Sequence, residues 1–149
     1  MNGETLQIER TFQAPAQKVF DAWTSEEVLR RWFYGRPGWE TPEAEVDLRV
    51  GGAVRIVMRD PVKQADFGGG GHYTEVDPPS RLAFTWTWDS DEERETLIEI
   101  EFEETEGATT VRFTHSGLRD MESVRSHEEG WTVCFGNLGR VLGVDPGRL

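Results

Sequence analysis

Residues 67–88 read FGGGGHYTEVDPPSRLAFTWTW, and the four glycines admit two readings that lead to different proteins. One is a loop that cradles phosphate. The other is a turn that swings the chain into a strand over an apolar cavity. A phosphate loop of the P-loop kind continues with Lys-Ser or Lys-Thr into a helix whose first amides face the anion. Gly71 is followed instead by His72-Tyr73-Thr74, a strand pattern, and the next basic residue is Arg81. Residues 60–71 therefore read as a loop or hairpin connection, with the glycines a mobile turn at a cavity mouth.

Working outward, Asp77-Pro78-Pro79-Ser80 turns the chain tightly. Leu82, Phe84, Trp86 and Trp88 then alternate with Ala83, Thr85 and Thr87. The same period of two recurs in Thr96, Ile98, Ile100 and Phe102, and again in Val111, Phe113 and His115. Three strands with one apolar and one polar face describe an antiparallel sheet covered on one side. Upstream, Val54, Ile56 and Met58 alternate with Arg55 and Arg59 behind the turn residues Gly51-Gly52, and Leu6, Ile8 and Phe12 open the chain as a first strand. Pro15 starts a helix carrying Val19, Phe20 and Trp23. Thr24 with Glu27 resembles a capping box for a second short helix bearing Val28, Leu29 and Trp32. The stretch FYGRPGWETPEAEV (33–46) reads as a turn-rich loop.

The cover for the sheet comes from the C-terminal part. Between Glu122 and Leu142, Val124, Trp131, Phe135, Leu138 and Leu142 share one helical stripe. Ser126 with Glu129 offers an alternative start for this helix. Gly130, Gly136 and Gly139 each weaken it by about 1 kcal/mol, which implies close approach to the sheet or room beneath. The fold class is α+β: a strand, two small helices, about six more strands and one long helix packed on the sheet.

The 149 residues fit one domain over 1–149, with a formal net charge of −12 and a sequence pI near 4.7. That balance argues against a nucleic acid or an anionic membrane as partner. A single cysteine, Cys134, suits a reducing cytoplasm. The N-terminus lacks the pattern of a signal peptide, and no apolar run approaches the ~20 residues of a membrane span.

Five stretches in order resemble a known family: IERTFQAPAQKVFDAWTSEEVLRRWF, DLRVGG, GHYTEVDPPSRLAFTW, TTVRFTHSGL, and GW followed by CFGNLGRVL. The chain is similar, from Ile8 to Leu142, to the family named for the C-terminal domain of the activator of the Hsp90 ATPase. That family lies within the START-like (Bet v 1-like, SRPBCC) helix-grip superfamily. The resemblance implies an antiparallel sheet of six to seven strands wrapped around the C-terminal helix. It also implies a cavity between them that in relatives holds lipids, sterols, polyketides or other apolar molecules. Some relatives are cyclases or hydrolases.

The leading expectation is a non-enzymatic binder of a small apolar or aromatic molecule. Trp86, Trp88, Trp131, Phe135 and Met58 supply apolar surface. Tyr73, Glu75 and His115 orient a polar end, and the segment from Trp32 to Trp39 covers the entrance. An alternative is a cyclase or hydrolase using His115 with Glu75 or Tyr73. A third is an Hsp90-linked, stress-response interaction module, for which the family name is the argument. No cofactor is expected. No metal is expected either, since His72, His115, His127 and Cys134 lack paired ligand spacing. Cys134 lies on the buried stripe, where an apolar setting raises a thiol's pKa and argues against a nucleophile. A homodimer and a chaperone contact stay open as partners.

Overall fold

The computed structural model describes residues 3–143. Strand β1 (Glu4–Phe12) leads into helices α1 (Ala16–Thr24) and α2 (Glu26–Trp32). Six strands follow: β2 (Glu40–Val46), β3 (Ala53–Asp60), β4 (Ala65–Asp77), β5 (Arg81–Trp88), β6 (Thr96–Thr105) and β7 (Ala108–Leu118). Helix α3 (Met121–Val141) ends the described chain. All seven strands form one antiparallel sheet in the order β1-β7-β6-β5-β4-β3-β2. The architecture is the α+β helix grip, with α3 laid in the concave face.

Alternation decides which side chains meet α3. Leu82, Phe84 and Trp86 of β5, Ile98, Ile100 and Phe102 of β6, and Val111 and Phe113 of β7 are buried. They face the α3 stripe of Val124, Trp131, Phe135, Leu138 and Leu142, all buried as well. Helices α1 and α2 close one end of the grip, where Trp23 meets Trp32 edge to face at 4.7 Å and Phe113 at 6.1 Å. The apolar faces are thus buried against each other, the main driving force for the fold.

The cap of α2 differs from the one expected, while α3 starts within a residue of the expected Glu122. Ser25, not Thr24, caps α2: its hydroxyl accepts from the Val28 N–H at 3.3 Å. Thr24 closes α1, its hydroxyl donating to the Phe20 carbonyl at 3.1 Å. Asp120 caps α3 by accepting from the Ser123 N–H at 2.8 Å, so the helix begins before Ser126. Aspartate is a preferred N-cap because its carboxylate accepts from a free amide of the first turn, here that of Ser123.

Two segments expected as loops are strands. Residues 40–46 pair with β3 at the sheet's edge, with Thr41 and Ala44 buried. The pairing is irregular between Glu40 and Glu43, around Pro42, which an edge strand tolerates because one side of its backbone needs no ladder partner. The glycine run is no turn. Gly68 to Gly71 lie inside β4, all paired with β3 and Gly69 and Gly70 also with β5. An added Cβ would sit 2.7 Å from Asp89 Oδ2 at Gly68 and 2.6 Å from the Trp86 ring at Gly69. At Gly70 it would lie 2.3 Å from the Val54 carbonyl oxygen, and at Gly71 2.1 Å from that of Thr85. At Gly69, Gly70 and Gly71 a ring or a backbone carbonyl leaves no room for a side chain, and that close approach requires glycine, whereas at Gly68 only the ends of Asp89 and Arg55 would have to move.

Candidate functional site

The glycines thin the sheet where the grip is open. Opposite them, between α3, the loop 33–39 and β3 to β5, lies a cavity of about 730 Å³. Its apolar wall holds Phe33, Met58, Phe67, Trp86, Trp88 and Trp131. Helix α3 contributes Ser126, His127, Gly130, Trp131 and Cys134, spaced so that they share one face. Gly35 lets the loop come close to α3: an added Cβ there would meet the Gly130 Cα at 3.2 Å. At the mouth Trp39 stacks on Phe67, ring centroids 5.1 Å apart at 17°. Phe67 is large, apolar and 44% exposed.

The charged boundary comes from the other face of the sheet. Register puts Met58 opposite Phe67 and Ile56 opposite Gly69 on the concave side. Arg55, Arg59, Asp66 and Gly68 therefore belong to the convex side. There Arg55 grips Asp89 with two nitrogens, at 2.9 and 2.7 Å, and Arg59 grips Asp66 at 2.7 and 3.1 Å. Those hydrogen bonds hold both carboxyls below their usual range. Gly68 makes the first pair feasible, because a Cβ there would stand 2.9 Å from Arg55 Nη2.

Two indole–imidazole hydrogen bonds stiffen the inner wall. The Trp131 N–H donates to His115 Nδ1 at 3.2 Å. The Thr96 hydroxyl donates to the Trp86 carbonyl at 2.8 Å, so its contact with His115 Nε2, also 2.8 Å, must be one it accepts. His115 is thereby fixed as the neutral Nε2–H tautomer. Burial first, and then His127, push its pKa down to about 3. The Trp88 N–H donates to His127 Nε2 at 3.1 Å, and His127 Nδ1 donates to the Ser123 carbonyl at 2.8 Å. The two imidazoles meet edge to face at 5.1 Å.

Of the residues singled out from the sequence, Trp39, Met58, Trp86, Trp88 and Trp131 border the cavity together. Five others lie elsewhere. Trp32 is wholly buried at the closed end, its N–H donating to the Ala22 carbonyl at 2.9 Å. Phe135 is buried between Phe12 and Trp23. Tyr73 is buried against Phe84, and desolvation raises its pKa. His115 sits behind Trp131. Glu75 faces away: the register shifts between Tyr73 and Glu75, which flips the alternation and sends Glu75 to the convex face with Ala83. There Arg81 donates to it at 3.1 and 3.2 Å.

The structure thus does not join His115 to Glu75 or Tyr73 through hydrogen bonds, and both His115 nitrogens already have partners. Burial also raises the Cys134 thiol pKa, and its Sγ contacts the Tyr34 carbonyl at 3.3 Å. Among the described residues no group of three His, Cys, Asp or Glu is placed to hold a metal. No described helix is long and apolar enough to cross a membrane.

Sequence reasoning missed Phe33, Arg36, Phe67 and His127. Phe67 shares strand parity with Tyr73, a signal that the loop reading of the glycines concealed. His127 and Trp131 are four apart on α3, the spacing of neighbours on one helix face.

Residues 13–143 match the family described as activator of Hsp90 ATPase homolog 1-like protein. The chain belongs to this family. Among solved structures, the AHSA1 protein of Silicibacter pomeroyi is 28% identical with a TM-score of 0.82, covering 94% of this chain and 98% of that one. The AHSA1-like protein of Aeromonas hydrophila is 25% identical with a TM-score of 0.79, over 94% and 92% of the two chains. Protein CV1439 of Chromobacterium violaceum has a TM-score of 0.86 at 22% identity, covering 95% and 98%. That last likeness is one of fold. No curated protein matches.

Proposed function

We propose that the chain binds a small apolar or aromatic molecule in the cavity between α3, the loop 33–39 and the glycine-bearing part of the sheet. The observation that carries this is the aromatic wall of Phe33, Trp86, Trp88 and Trp131 in an open cavity of about 730 Å³ whose lining also takes in convex-face residues. That volume lies within the range of small-molecule sites, and apolar walls with few polar groups are their usual make-up. The reading is non-enzymatic. The best candidate base, His115, has its Nδ1 lone pair engaged by Trp131 and no carboxylate beside it.

A thermal-shift panel of fatty acids, sterols, flavonoids and polyketide-like aromatics, read alongside tryptophan fluorescence, tests the proposal. A ligand at 100 times its Kd stabilises by about 2.7 kcal/mol, which raises Tm by several degrees in a domain of this size. A shift accompanied by changed tryptophan emission supports the reading, and a panel without either contradicts it. Family membership supports a second reading, contact with Hsp90. Recovery of Hsp90 on the immobilised protein is its test, and failure to recover it removes that support.

A further inference from the structure

The charges around the cavity are unequally committed. Arg55 is engaged by Asp89 and Arg59 by Asp66, on the convex side. Glu43, opposite Val57 on that same side, lies 4.0 Å from Arg55. Arg36 also borders the cavity, and among the described residues it makes no side-chain hydrogen bond or ion pair. Its position is set by the backbone. The Trp39 N–H donates to the Arg36 carbonyl at 3.2 Å. Pro37 takes the second position of this turn, and Gly38, with φ of +84°, the third. The sequence Arg-Pro-Gly-Trp thus brings the ends of one tight turn together, an uncommitted cation beside the aromatic ring that stacks on Phe67.

We propose that the ligand carries an anionic group, such as a carboxylate, that Arg36 receives at the mouth while its apolar body enters the aromatic chamber. This rests on the binding function proposed above. A planar guanidinium takes a carboxylate with paired hydrogen bonds, which a lone ammonium does not. With a net charge of −12, the protein repels bare small anions at long range. Affinity therefore depends on the apolar body, and Arg36 selects among apolar molecules by their charged end.

The test uses two fluorescent probes that share a ring system, anionic 1-anilinonaphthalene-8-sulfonate and neutral N-phenyl-1-naphthylamine. Each is titrated into the full chain and into Arg36→Gln and Arg36→Lys. Arg36→Gln should weaken the sulfonate about tenfold, the scale of a charge-assisted hydrogen bond. The neutral probe should change less than about twofold, and Arg36→Lys should restore part of the sulfonate binding. Equal Tm values for the three proteins establish that folding is intact. If the neutral probe binds but Arg36→Gln leaves the sulfonate unchanged, or weakens both probes alike, the anion site is wrong and the cavity stands. If neither probe binds the unmodified chain, both proposals fall.

Discussion

The two ends of the helix grip are built from the same residue types to opposite effect. At the closed end Trp23, Trp32, Phe113 and Phe135 interlock with centroid separations between 4.7 and 6.1 Å. At the open end Trp86, Trp88 and Trp131 are also aromatic, yet they border a cavity. Rings do not fill space by being large; they fill it when the facing strand supplies side chains that interdigitate. At the closed end α1 and α2 supply them. At the open end β4 presents Gly69 and Gly71 toward the helix, so the Trp86 ring lies directly on Gly69 and no side chain rises from β4 at either position.

The comparison breaks most severely if the glycines are filled. Gly71→Val should destabilise by about 3 kcal/mol or more, since even a Cβ lies 2.1 Å from the Thr85 carbonyl oxygen. Urea unfolding measures it. Truncations then contrast the ends. Trp32→Ala should cost about 3–5 kcal/mol, the usual cost for a fully buried indole, and Trp39→Ala only about 1 kcal/mol. Equal losses would mean that the open end is packed like the closed one.

An effect of comparable size appears with pH. His115 has a folded pKa near 3, below its unfolded value, so protonation favours the unfolded chain. Its contribution is fully present above about pH 6.5 and is lost as pH falls toward the folded value. The slope approaches about 1.4 kcal/mol per pH unit. In His115→Gln that part of the pH dependence should vanish, visible as a flatter plot of unfolding free energy between pH 6 and pH 4. The smallest effect belongs to the convex face. Arg55→Ala should change stability by less than about 1 kcal/mol, because its pair with Asp89 is solvent-exposed.

Period-two alternation revealed β5, β6 and β7, and the helical stripe revealed α3, because those elements are driven by apolar burial that the residues themselves display. The edge strand β2 was hidden, since Glu40, Pro42, Glu43 and Glu45 are poor strand formers held there by tertiary partners: the pairing to β3, the Thr41 hydroxyl donating to the Phe33 carbonyl and the Val46 N–H donating to Glu26. The glycines of β4 were hidden for a related reason. A residue without a side chain shows no alternation, and the cause of its choice lies in Trp86 and Thr85 on a neighbouring strand. In the site, parity found Met58, Trp86 and Trp88. The family resemblance suggested a cavity position for Glu75, but one irregular residue between it and Tyr73 reverses every side chain beyond. Arg36 is set by a turn, which periodicity does not register, and the parity of Phe67 is masked by the four glycines that follow it.

The central claim is that the open end receives a ligand and the closed end does not. The six tryptophan indole N–H signals report on it directly in a proton–nitrogen correlation spectrum. Upon addition of N-phenyl-1-naphthylamine, the signals of Trp39, Trp86, Trp88 and Trp131 should move while those of Trp23 and Trp32 stay in place. Six unmoved signals, or shifts concentrated on Trp23 and Trp32, would contradict the account.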